Sequence, residues 1–111
     1  MNFAVENRDG YVIFTIKSNK LESQNSPKLK AELLIVCQPD IEGLIIDISQ
    51  VEYIDSSGLG AMLLAHRQLK EYGKKITLVG AQDVVKSMLS ISQLTELFQM
   101  ADTIDEALKL Y

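Results

Sequence analysis

Tryptophan is absent, and cysteine and histidine occur once each, as Cys37 and His66. One cysteine cannot close an internal disulfide, and the pair leaves any zinc site short of its usual ligands. The prolines, Pro27 and Pro39, sit in no linker-like stretch, and no internal repeat is visible. Apolar runs reach only about five or six residues, against the ~20 needed to span a bilayer, so no membrane insertion is expected. The opening Met1–Glu6 lacks a basic leader followed by an apolar stretch, so no secretory signal is expected and a cytoplasmic protein is the default. Eleven basic side chains face fifteen acidic ones, a formal charge of −4. No run of Lys or Arg reverses that balance locally, which argues against direct contact with nucleic acid.

What remains is 111 residues with 47% hydrophobic and 23% charged side chains, a globular composition. That length suits one domain over residues 1–111, and such a chain buries roughly two-thirds of the surface its unfolded form exposes. Disordered, coiled-coil and collagen-like chains are excluded.

The patterning predicts a mixed α/β fold in the order ββαβαβα(β)α. Phe3 and Val5, the turn Asn7-Arg8-Asp9-Gly10 and the β-branched and aromatic run Tyr11–Ile16 read as an opening hairpin. Ser18–Asn25 is polar, without period, and reads as loop. Ser26-Pro27 reads as a helix start with a capping hydroxyl, and Leu29, Leu33, Val36 and Cys37 form one helical face that Pro39 halts. Leu44–Ile48 is nearly all apolar, as buried strands are. A second helix is expected from about Gly58 to Tyr72, with Leu59, Met62, Leu63, His66 and Leu69 on one face and Gly73 as its stop. Lys75–Val79 reads as strand, and Val84, Val85, Met88 and Ile91 mark a third helix. Leu97–Met100 reads as an edge strand. Thr103 and Glu106 form a capping box for a last helix. Strand, helix, strand from Leu44 to Val79 demands a parallel pair with a right-handed crossover, beside the antiparallel hairpin.

The segment Val51–Gly60 joins the buried strand to the second helix, at the strand end where α/β sheets gather ligands. Asp55, Ser56 and Ser57 put a carboxylate and two hydroxyls at a helix N-terminus, amid unpaired backbone N–H groups. Gly58 and Gly60 keep side chains away, so another backbone can approach. Ordinary capping by Asp or Ser explains the same residues. Three enzymatic readings fail on spacing. No Gly-Lys-Ser/Thr follows the glycines, no glycine stands two residues before either serine, and the adjacent serines break a metal-binding Asp-x-Ser-x-Ser.

The chain resembles the STAS domain family of anti-sigma factor antagonists. Leu44-Ile45-Ile46-Asp47-Ile48 leading to Tyr53-Ile54-Asp55-Ser56-Ser57-Gly58-Leu59-Gly60 is close to the family signature. Leu21-Glu22 stands where the family usually has Gly-x-Leu-Asp, so Glu22 replaces Asp and Asn19 replaces Gly; Gln93 replaces a frequent glycine near the last apolar pair. The resemblance implies a STAS-type mixed sheet covered by about four helices, and a regulatory binding module with no catalytic residues, metal or cofactor. It implies phosphorylation at Ser57 by a partner that is both anti-sigma factor and serine kinase of the histidine-kinase-like ATPase class, with a serine phosphatase resetting the switch. It places partner binding at Glu22, Asp55, Ser56, Gly58, Leu59, Gly60 and Met62. The alternative within the family is a constitutive adaptor on an ABC-type lipid-transport ATPase complex or in a stress-signalling assembly.

Other chemistry-bearing residues have structural readings. Tyr53, Leu59 and Met62 are the apolar side chains nearest the site, with core packing as the plain explanation. His66 is expected as a packed boundary residue, Cys37 as a buried inert thiol. Asp47, inside an apolar strand, is expected to support the loop that follows. A serine enzyme is disfavoured because His66 lies about nine positions from Ser57, some ~13 Å by helical rise.

Overall fold

The computed structural model describes residues 2–111. Asp9 and Gly10 take positive φ angles of 54° and 89°, and the two-residue turn they make joins β1 (Phe3–Arg8) to β2 (Tyr11–Ile16). Positive φ at both central positions gives a turn whose twist matches that of paired strands, which is why Asp-Gly serves here. With β4 (Gly43–Asp47), β6 (Ile76–Val79) and β7 (Gln99–Ala101), these strands form a five-stranded sheet in the order β1-β2-β4-β6-β7. Only the β1–β2 pair is antiparallel; β2–β4, β4–β6 and β6–β7 are parallel.

Side chains alternate across this sheet, and each face has its own cover. Val12, Phe14, Ile16, Leu44, Ile46 and Leu78 point into the main core, under α1 (Ser26–Val36), α2 (Ser56–Glu71) and α3 (Asp83–Ile91). Ile13, Ile45 and Val79 point the other way, against α4 (Ile104–Leu108) and its buried Ala107. Leu44, Ile45 and Ile46 are therefore all fully buried, which explains the unbroken apolar run of β4. Each such side chain contributes roughly 1.5–3 kcal/mol by leaving water.

The expected hairpin, parallel core and four helices are present, and several local readings need correction. Ser18–Asn25 is not all loop, because Lys20–Leu21 form a short strand, β3, that pairs with β5 (Tyr53–Ile54) in a separate two-stranded sheet. Ser26 does not cap α1: the cap position is Asn25, no side chain makes a capping bond, and Ser26 itself is buried. Helix α2 begins at Ser56, two residues before Gly58. The last strand is Gln99–Ala101, because Thr95–Leu97 wind into a 3-10 turn and Phe98 turns into the core.

The capping box at α4 is half made. Thr103 Oγ1 accepts the Glu106 N–H at 3.1 Å, while Glu106 Oε2 accepts from Asp102 N at 3.2 Å, not from Thr103. Val84 and Ile91, read as part of the apolar stripe of α3, are 54% and 78% exposed; Val85 and Leu89 make its buried contact.

Candidate functional site

The β3–β5 ladder builds the site. Lys20 pairs with Tyr53 and Leu21 with Ile54, in parallel, so the chain leaves both strands on the same side as Glu22 and Asp55. Asp55 N donates to Leu21 O at 3.0 Å, and Glu52 N donates to Asn19 O at 2.7 Å. Asn25 locks the Glu22 turn. Its Oδ1 accepts from Glu22 N at 2.9 Å, and its Nδ2 donates to Lys20 O at 2.7 Å. Two segments some thirty positions apart are thereby held as one edge, and Glu22 comes to lie in the loop beside the Asp-Ser-Ser segment.

Asp55 caps α2. Its Oδ1 accepts three hydrogen bonds: from Ser57 N at 2.9 Å, from Gly58 N at 3.1 Å and from Ser57 Oγ at 2.6 Å. The Ser57 hydroxyl foremost, and the Gly58 N–H after it, hold the Asp55 carboxyl below the usual carboxylate range. These donors favour the charged form, as does the positive end of the helix. Asp47 accepts from Ser49 N at 3.0 Å and so steadies the turn that leads toward β5. The Ser57 hydroxyl is fixed by its bond to Asp55 and remains half-exposed, while Ser56 is exposed.

Three residues expected at the docking surface lie elsewhere. Met62 is fully buried and Leu59 is 5% exposed, so both are core. The reason is periodic: Gly58, Leu59, Met62, Ala65 and Leu69 follow the helical face turned toward the sheet. Gly58 is buried too, and a methyl there would lie 2.9 Å from Leu21 O and 2.9 Å from Ile54 Cγ1. Its missing side chain admits the protein's own β3–β5 clasp, not a visitor. Gly60 is different: it is exposed, with open space where a Cβ would be.

Tyr53, by contrast, is 47% exposed beside Asp55. Strand alternation could have revealed this, since Ile54 next to it points inward. A shallow groove of about 460 Å³ runs from Ser57 between α1 and α2, past Gly60 and Leu64 to Lys30 and Arg67. Both charged groups lining it are cations, and neither was legible as part of a site from sequence.

The remaining reactive side chains stand apart. Burial pushes the Cys37 thiol up to about 11, leaving it a packing group. His66 packs edge-on against Phe98 at 5.6 Å, and burial foremost, with Lys70 and Arg67 nearby, lowers its pKa. No group of three His, Cys, Asp or Glu that could hold a metal ion occurs among the described residues. No helix among them is long and apolar enough to cross a membrane.

A hydroxyl fixed by a capping carboxylate, an exposed tyrosine and an open groove thus come together at one helix start. The STAS domain model matches residues 2–107, and the chain belongs to the STAS domain family, a family of non-enzymatic regulatory binding proteins. The anti-sigma-B factor antagonist of Listeria monocytogenes is 30% identical over 104 residues, covering 90% of each chain. The crystal structure of TM1081 from Thermotoga maritima, described as a candidate anti-sigma factor antagonist, superposes with a TM-score of 0.86 at 27% identity, over 96% of this chain and 92% of that one. SpoIIAA of Bacillus shares the fold at 20% identity. Its unphosphorylated form gives a TM-score of 0.82 over 96% of this chain and 93% of that one, and its phosphorylated form 0.76 over 97% of each.

Proposed function

We propose that residues 1–111 act as one cytoplasmic anti-sigma factor antagonist domain that Ser57 switches. Unphosphorylated, it docks on an anti-sigma factor that is also a serine kinase of the histidine-kinase-like ATPase class; phosphorylated, it is released until a serine phosphatase resets it. The docking face is Glu22, Asp55, Ser56, Ser57 and Gly60, with Tyr53 and the α1–α2 groove added.

The observation that carries this reading is the 2.6 Å bond from Ser57 Oγ to Asp55 Oδ1. Transfer of a phosphoryl group from ATP to Oγ replaces the hydroxyl proton, so the donor that steadies Asp55 is lost. In its place stands a group of about −1.5 to −2 charges beside a carboxylate. The α2 N–H groups can host part of that charge, so the fold persists. The rest faces the partner, where like-charge contact costs several kcal/mol, or about a hundredfold in affinity. The Bacillus relative, whose fold is retained in both phosphorylation states, supports a switch that works by local charge.

The test is capture of the anti-sigma factor by Ser57→Ala and Ser57→Asp variants, with intact-mass measurement after incubation with kinase and ATP. The switch requires that Ala binds, Asp does not, and the wild type alone gains one phosphate. Equal binding by both variants would instead describe a constitutive adaptor.

A further inference from the structure

The other end of α2 holds a second concavity, of about 370 Å³, between the helix terminus, the start of β6 and the Glu96–Gln99 segment. Ser57 and Lys70 are thirteen residues apart on the helix, about 20 Å by helical rise, so this site is separate from the docking face. Its rim carries Lys70, Lys74 and Lys75 against a single acid, Glu96, a local balance of +2 in a chain whose net charge is −4.

No hydrogen bond or ion pair among the described residues holds these ammonium groups, although Lys70, in the last turn of α2, faces the negative end of that helix. Among the described residues the ion pair is Arg8–Glu6, on the far hairpin. The α2 carbonyls that lysines often cap are already taken by backbone: Leu69 O accepts from Lys74 N at 2.9 Å, and Lys70 O from Gly73 N at 3.0 Å. The backbone beneath the ammonium groups is fixed as well, since Lys75 O accepts from Leu44 N and from the Tyr111 hydroxyl, each at 3.1 Å.

The wall opposite is apolar and aromatic. Phe98 is buried with the His66 ring against it, and Leu97 is 38% exposed. Gln99 also lines the cavity; its Oε1 accepts from Thr77 Oγ1 at 3.1 Å, which leaves its amide nitrogen as a donor. Point-charge ammonium groups suit a phosphate dianion, and a ring-bearing wall suits an apolar body.

We propose that this concavity binds a small phosphate monoester with a flat apolar body, the dianion held by Lys70, Lys74 and Lys75 and the ring against Leu97 and Phe98. The probe is 1-naphthyl phosphate, followed by NMR on the ring signals of His66 and Phe98 in the intact chain. The expected result is a saturable shift with Kd of ~1 mM, ordinary for so small a ligand. Inorganic phosphate and 1-naphthol, each carrying half of the recognition, should bind at least about tenfold more weakly. Each single Lys→Gln change at 70, 74 or 75 should weaken binding about fivefold.

Lys28→Gln on α1 should leave binding unchanged, and so should Ser57→Asp, which keeps this outcome independent of the switch. Amide spectra report that each variant is folded. A shift that survives the triple Lys→Gln variant overturns the proposal, as does equal binding of 1-naphthol or inorganic phosphate, or no saturable shift.

Discussion

Two glycines two positions apart on α2 should respond oppositely to the same methyl group. At Gly58 the added carbon would sit 2.9 Å from Leu21 Cβ, 2.9 Å from Leu21 O and 2.9 Å from Ile54 Cγ1. One of these is a backbone carbonyl within the β3–β5 clasp, so it cannot swing aside. Overpacking of this kind costs about 1–3 kcal/mol, while replacing glycine by alanine in a helix returns at most about 1 kcal/mol. Gly58→Ala should therefore lose roughly 1–2 kcal/mol, a fall in Tm of roughly 4–10 °C for a domain of this size. At Gly60 nothing lies within 4 Å of the new methyl, so only the helix gain of about 0.5–1 kcal/mol remains.

Urea unfolding, read from midpoints at constant slope, measures both. Gly60→Ala also fills the groove beside Ser57, so it should bind the anti-sigma factor more weakly while being the more stable protein. A Gly58→Ala variant as stable as wild type would refute the packing argument. A Gly60→Ala variant that binds normally would remove the groove from the docking face.

Other substitutions separate core from surface. Met62→Ala should lose about 2–5 kcal/mol while Met62→Leu keeps both stability and binding, as calorimetry and partner capture would show for a core side chain. Tyr53→Ala should change stability by less than about 0.5 kcal/mol yet weaken partner binding about tenfold or more, measured by titration calorimetry. Because the folded-state pKa of Asp55 is depressed, its charge favours folding above about pH 4, and that contribution fades as pH falls through the lower folded value. Asp55→Asn should accordingly flatten the acid limb of the stability–pH curve.

Long periodic elements were the legible part of this fold. The unbroken apolar run of β4 and the spacing of Leu59, Met62 and Leu69 determined the parallel core and α2, because burial on that scale dominates local preference. Two-residue strands carry no periodicity, so β3 was invisible inside a polar stretch and its pairing with β5 could not be read. That pairing decides the site: it brings Glu22 to Asp55, and it gives Gly58 a neighbour inside the protein. The same helical spacing that located α2 already implied that Met62 faces inward, whereas proximity in sequence to Ser57 suggested a surface. Lys30 and Arg67 come to line the groove that starts at Ser57 only through the packing of α1 on α2, information that no local window contains.

The short ladder between β3 and β5 also makes the candidate site depend on the folded interior. A partly melted chain that separates Leu21 from Ile54 separates Glu22 from Asp55 with them. Under the function proposed above, only a chain with an assembled interior presents that face whole, so the number of competent molecules follows the folded pool and not the amount synthesised.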